Sequence, residues 1–258
     1  GFSLGSGTSE LNNSAGNYAA WNWKAGGTAV SNTDGSITSQ VSANVDAGFS
    51  VVSWSGNTTS GATVGHGLGV APDVIIFKRR DGTTDWHTYH SSIPNGNTYL
   101  AYLNTTAVPA SAGSFLNSTY PSSSVITLGG SAGTNGSSMI AYCFANTDGY
   151  LKAGSYTGNG SSDGPFVYTG GKVQWLMIKR TDSARNWVIV DNARDPDNEV
   201  LLTLEANVSD AEYVNSNVLD FLSNGFKPRS SGPSWNTSGG SYIYLAIMST
   251  PQKHSNAR

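Results

Sequence analysis

Two histidines, a run of acids, one thiol and a few loop aromatics are the residues here whose types and spacing bear on chemistry. His87 and His90 lie three apart on an expected β-strand, which sends their rings to opposite faces and argues against a shared metal ion. Asp191, Asp195, Asp197 and Glu199 crowd the run "DNARDPDNE". Oxygen ligands of this kind suit a hard cation such as Ca²⁺. The run lacks the glycine and the distal glutamate of an EF-hand loop, and Asp and Asn beside Pro are also ordinary turn chemistry. The turn reading is preferred, with Asp191, Asp195 and Asp197 kept as the metal candidates. Cys143 sits inside "MIAYCFA" and reads as a small buried side chain, not a nucleophile. There is no GxSxG elbow, HExxH pair or P-loop, and "GHGLG" (65–69) does not lead into a helix. Catalytic residues and cofactors are therefore not expected.

The aromatics carry the binding hypothesis. Trp54 and Tyr156 each stand two residues before a Gly-Asn pair, Gly56-Asn57 and Gly158-Asn159. Trp235 lies with Asn236 in the loop "SGPSWNTSGG". An aromatic face with hydrogen-bonding side chains beside it suits a ligand that is apolar on one side and polar at its edges, such as a sugar. Trp54, Asn57, Tyr156, Asn159, Trp235 and Asn236 form the candidate ligand set. The competing expectation is that Trp235 folds back over its loop base or meets another subunit.

These residues recur because the chain repeats itself. "PDVIIFKRRDGTTDWHTYH" (72–90) aligns without gaps on "VQWLMIKRTDSARNWVIVD" (173–191), matching Lys78 with Lys179, Arg79 with Arg180, Asp81 with Asp182 and Trp86 with Trp187. "SWSGN" (53–57) aligns on "SYTGN" (155–159), "NTYLAYL" (97–103) on "NEVLLTL" (198–204), and "SMIAYCFA" (138–145) on "SYIYLAIM" (241–248). Such self-similarity at a near-constant period points to a duplicated unit. Each copy reads as short β-strands rich in branched and aromatic residues, separated by Gly, Ser, Asn and Thr. The fold class is thus all-β, with two tandem antiparallel β-sandwich units of about 100 residues. Residues 48–148 form the first and 149–258 the second. Residues 1–24 align on 225–248, so 1–47 is expected to be the closing hairpin of a partial preceding unit plus a linker, with Tyr18–Trp23 a strand. Within 207–226, Ser209 and Glu212 have capping-box spacing and predict one short helix. Trp86 and Trp187, at equal places in both copies, are expected in the core.

Composition narrows the function classes. Charged residues are 12% of the chain, the net charge is −3, and the 14 Lys and Arg are scattered. No basic stripe offers a nucleic-acid footprint. No apolar run approaches the ~20 residues of a membrane-spanning helix, and the segment at Gly1 does not read as a signal peptide. The lone cysteine is compatible with assembly in a reducing cytoplasm.

Several segments together resemble a known class. "NYAAWNWKAGG", "AGFSVVSWSGN", "VGHGLGVAPDVIIFKRRDGTTDWHTYH", "MIAYCFANTDGYLKAGSYTGNGSSDGPFVYTG", "DFLSNGFKPRSSG" and the terminal "NAR" are similar to a domain at the C-terminal end of marine bacteriophage tail-fibre-like and virion surface proteins. That domain often stands next to laminin-G or concanavalin-like modules. The resemblance implies a place on the virion surface after assembly in the host cytoplasm, and brings no catalytic residues with it. The expected function is non-covalent attachment to a host-surface glycan or protein by a homo-oligomer, most simply a trimer, that also contacts other virion proteins. A purely structural capsid-decoration or fibre-shaft module is the alternative, and a polysaccharide depolymerase the third.

Overall fold

A computed structural model describes residues 3–5, 11–14 and 16–249. The first half holds β1 (Val30–Asn32), β2 (Ser39–Asn44), β3 (Phe49–Trp54), β4 (Thr63–Gly65), β5 (Val74–Arg79), β6 (His87–His90), β7 (Tyr99–Tyr102), β8 (Ala110–Ser111), β9 (Val125–Thr127) and β10 (Met139–Phe144). A single helical turn, α1 (Ala132–Asn135), precedes β10. The second half holds β11 (Leu151–Thr157), β12 (Val167–Tyr168), β13 (Val173–Arg180), β14 (Trp187–Asp191), β15 (Val200–Glu205), β16 (Tyr213–Leu222), β17 (Gly225–Pro228) and β18 (Ser241–Met248). The fold is all-β.

Each half contributes one eight-stranded sheet. The first runs β1-β2-β3-β10-β5-β6-β7-β8 and the second β11-β18-β13-β14-β15-β16-β17-β12, while β4 and β9 form a separate pair. The aligned segments occupy the same order, β3-β10-β5-β6-β7 against β11-β18-β13-β14-β15. They also share register: Ile140 stands opposite Lys78, and Ile243 opposite Lys179. The closing strands β10 and β18 are apolar on both faces because each lies between two neighbours and under a core on either side.

Alternation along these strands builds three cores. Met139, Ala141 and Cys143 of β10 join Trp54, Phe77 and Phe115 on the outer side of the first sheet, under β4 and β9. Tyr242, Tyr244 and Ala246 of β18 join Phe226, Val218 and Trp235 on the outer side of the second. The opposite faces meet each other: Phe49, Ile76 and Phe144 pack with Trp175, Met177, Trp187, Ile243 and Leu245. The two halves therefore share a buried seam between their large sheets. Polar bonds also cross it. Trp187 Nε1 donates to the Tyr102 carbonyl at 2.9 Å, Lys179 Nζ to the Thr106 carbonyl at 2.9 Å, and His90 Nε2 lies 3.0 Å from the Tyr244 carbonyl. Burial, with Arg185 nearby, lowers the Lys179 pKa to about 8.

Two expectations fail locally. Tyr18–Trp23 has no strand pairing, and no hairpin forms among the described residues before β1. The first part of that expected hairpin lies outside the described residues. The segment instead lies along the edge of the seam, where Trp23 meets Phe144 and Trp175 edge-on at 6.1 and 5.4 Å. Trp21 Nε1 donates to Asp191 Oδ2 at 3.1 Å. Indole packing replaces strand pairing there, since β2 already occupies the free edge of β3. The helix expected in 207–226 is the strand β16, which pairs with β15 and β17. Glu212 accepts from Arg194 Nη1 instead of closing a capping box, and Asn215, Ser216 and Asn217 favour helix weakly.

Candidate functional site

The two SxxGN segments end β3 and β11, and their glycines explain the motif. A Cβ on Gly56 would lie 2.2 Å from the Gly136 carbonyl oxygen, and one on Gly158 would lie 2.2 Å from that of Thr237. Only a residue without a side chain lets the strand end run this close to the facing loop. The asparagine then locks the approach. Asn57 N–H donates to Asn135 Oδ1 at 3.0 Å and Asn135 Nδ2 to Asn57 Oδ1 at 3.3 Å. In the second half Asn159 N–H donates to Asn236 Oδ1, and Asn236 Nδ2 to Asn159 Oδ1, both at 2.8 Å. Asn135 and Asn236 are fully buried. These are reciprocal latches between a strand end and the loop before the closing strand.

The loop aromatics belong to the cores. Trp54 and Trp235 are 6% and 2% exposed. Tyr156 packs on the second core, stacks on Tyr242 at 4.8 Å between ring centroids, and donates its hydroxyl to the Trp235 carbonyl at 2.6 Å. The structure thus brings Tyr156, Asn159, Trp235 and Asn236 together at one end of the second sheet, and Trp54 and Asn57 at the matching end of the first. It does so as scaffold, with the Asn236 and Tyr156 polar groups already bonded within the chain. Trp187 is buried, whereas Trp86 is half-buried with Lys78 Nζ 5.6 Å from its ring centre.

The acids resolve the same way. Asp191 Oδ1 accepts the Ala193 and Arg194 N–H groups, and its Oδ2 accepts Trp21 Nε1 and Arg194 Nε. Asp195 Oδ2 accepts the N–H groups of Leu201 and Leu202. Asp197 is exposed. No group of three His, Cys, Asp or Glu side chains gathers among the described residues. Asp81 and Asp182, which align with each other in the sequence, each hold the arginine two residues before them, at 2.7 and 2.8 Å.

An open cleft of about 620 Å³ is lined by residues of both halves beside the seam. Its floor carries Ser155 and Thr157 of β11, Ser241 of β18 and Thr181 just after β13. Pro94, Asn95, Tyr99 and Pro109 wall it from the first half, and Asp182 stands at its rim. Thr157 is opposite Ser241, and Thr181 N–H donates to the Ser241 carbonyl at 2.8 Å, so three hydroxyl residues form a row across adjacent strands. Tyr99 is 36% exposed. Arg180 grips Asp182 with two parallel bonds, Nε to Oδ1 at 2.8 Å and Nη2 to Oδ2 at 3.0 Å. That grip lowers the Asp182 pKa to about 2, keeping the carboxylate ionised and paired at neutral pH.

None of the cleft residues was in the sequence-derived ligand set except Tyr156, whose ring faces the opposite core. A signal for Tyr99 existed: its aligned partner Val200 is fully buried, so an exposed aromatic at that position breaks the match between the aligned segments. The remaining lining consists of Ser and Thr, too common in this chain to stand out. A family model described as a domain of unknown function (DUF7483) matches residues 1–251. No curated protein and no solved structure matches the chain.

Proposed function

This chain belongs to the DUF7483 family of domains of unknown function, and we propose that it is a non-catalytic attachment module on a virion surface. It holds a host-surface glycan or protein in the cleft along the seam. The observation that carries this reading is the cleft itself: an exposed tyrosine and unengaged hydroxyls stand together on rigid strands, while the loop aromatics are engaged in packing. A site built on strands of a fused two-sheet scaffold keeps its geometry without ordering costs on binding. Presented on a homo-oligomer, a trimer in the simplest case, weak single contacts add by multivalency. The cleft brings one carboxylate, Asp182, into its lining, whereas glycoside hydrolysis employs two facing each other. The phage location rests on the sequence resemblance.

A structural virion module is the second reading, favoured by the burial of Trp54 and Trp235 and by the engagement of Tyr156. Adhesion of fluorescently labelled protein to a panel of marine bacterial strains separates the two. Attachment predicts adhesion to at least one strain and its loss in Tyr99→Ala. Adhesion to none, with retention on purified virions instead, supports the structural module and overturns the attachment reading.

A further inference from the structure

We propose that the seam cleft takes an uncharged oligosaccharide segment, an inference that rests on the attachment reading and adds the ligand's chemical class. Three features of the cleft converge on it. The first is a set of hydroxyls without partners: among the described residues the side chains of Ser155, Thr157 and Ser241 make no hydrogen bond within the chain. Thr157 and Ser241 face each other on neighbouring strands, which stand ~4.8 Å apart, and Ser155 lies two residues before Thr157 on the same strand. A hydroxyl both donates and accepts, so this row suits a ligand whose own edge is a row of hydroxyls.

The second feature is the wall. Tyr99, Pro94 and Pro109 of the first half bring rings into the lining that the hydroxyls of the second half share. A pyranose has the same division, with C–H groups on its faces and hydroxyls around its rim, and aromatic faces are suited to the C–H side.

The third is charge. Among the described residues Asp182 is the only Asp, Glu, Lys, Arg or His in the cleft lining, and its charge is already matched by the paired Arg180 guanidinium. An acidic or basic ligand would find no free counter-charge there, whereas a neutral polyol accepts what is offered. Asp182 keeps lone pairs for sugar hydroxyls beyond those taken by Arg180 and by the Ser241 N–H.

A peptide strand is the competing ligand, because β11 is the outer strand of its sheet. That edge is already blocked in part. The Asn146 side chain accepts from the Ala153 N–H at 2.6 Å and donates to its carbonyl at 3.4 Å, and Leu151 bonds with Thr147. Only the stretch from Ser155 to Thr157 is left, which is short for a strand that must bind through backbone bonds. The positions aligned with the cleft lining carry different residues. Arg80 stands where Thr181 does, and Val200 where Tyr99 does.

The test is calorimetric titration of the full chain with neutral oligosaccharides, uronic-acid oligosaccharides and an extended peptide, repeated with Tyr99→Ala and Thr157→Val. Both substituted residues are exposed, and far-UV spectra with urea midpoints check that the variants fold. The expected result is binding of at least one neutral oligosaccharide, weakened ~10-fold or more by Tyr99→Ala, a change of about 1.4 kcal/mol, and measurably by Thr157→Val. Preferential binding of the acidic oligosaccharide or the peptide overturns the assignment. So does neutral binding that both variants leave unchanged. If no oligosaccharide binds while the protein still adheres to cells through Tyr99, the ligand class falls and attachment stands. If adhesion is absent as well, both fall.

Discussion

Replacing Asn236 by alanine separates a latch from a ligand contact. The side chain is fully buried and makes three hydrogen bonds: it accepts from Asn159 N–H at 2.8 Å and donates to Asn159 Oδ1 at 2.8 Å and to the Ser161 carbonyl at 2.7 Å. A buried hydrogen bond contributes about 1 kcal/mol net, so the three together contribute about 3 kcal/mol. Asn159 is itself exposed, so water can replace part of what it loses, and the cost should not rise far above that sum. With a urea m-value of about 2–3 kcal/mol/M, the midpoint should fall by about 1 M. Equilibrium urea unfolding at pH 7, followed by tryptophan fluorescence, measures it. Asn135→Ala should behave alike, because Asn135 Nδ2 faces Asn57 Oδ1 and the carbonyls of Thr59 and Gly129 at 3.1–3.3 Å. A midpoint for Asn236→Ala indistinguishable from the parent, together with lost cell adhesion, would refute the reasoning and return Asn236 to the binding surface.

Other outcomes follow from buried groups. His90 is almost fully buried, with Nδ1 accepting from Ser92 N–H and Nε2 facing the Tyr244 carbonyl, and burial lowers its pKa to about 4 against the opposing pull of the Tyr244 carbonyl and then Asp73. Its neutral form therefore stabilises the fold fully above the ordinary value of about 6.5, and that stability is lost as pH falls from there towards 4, by roughly 3 kcal/mol in all. His90→Gln should show a shallower loss of urea stability between pH 7 and 4; an unchanged slope would contradict the burial argument. Cys143 is fully exposed only on unfolding, and burial pushes its thiol up to about 12. It should react with a disulfide reagent at pH 8 only in denaturant, and rapid reaction of the native protein would contradict its place in the core.

The strand framework was legible because the aligned segments constrain each other. A segment such as "VIIFKR" is ambiguous alone, but beside "WLMIKR" at the same place it carries one strand position, and the structure gives both the same neighbours. The Asp81 and Asp182 turns were likewise readable, each acid standing two residues after the arginine it holds. The failures have specific physical causes. Tyr18–Trp23 has the pattern of a strand, but two indoles close to the seam gain more by packing on Trp175 and Phe144 than by pairing at an edge already taken by β2. The Ser209–Glu212 spacing promised a cap, while Val218, Leu219 and Phe221 further on had a sheet core to enter. For Trp235 the Gly- and Ser-rich loop left open both a ligand contact and a ring folded back over the loop base, and the second is what forms. That composition serves the close approach of Gly158 to Thr237, with the indole turned inward. The cleft was hidden for a different reason: its floor and its wall come from different halves, and no local pattern reports a surface formed between them.

The central claim is that ligand is held along the seam and not by the latched loops. Backbone amide shift mapping of the isotope-labelled chain, titrated with polysaccharide fragments from a strain to which it adheres, tests this directly. The account predicts perturbations concentrated at Ser155–Thr157, Thr181, Asp182 and Ser241 and at Asn95 and Tyr99 across the cleft. Perturbations confined to the exposed Phe166 and Tyr168 beside β17, or to the loops around Asn57 and Asn159, would contradict it.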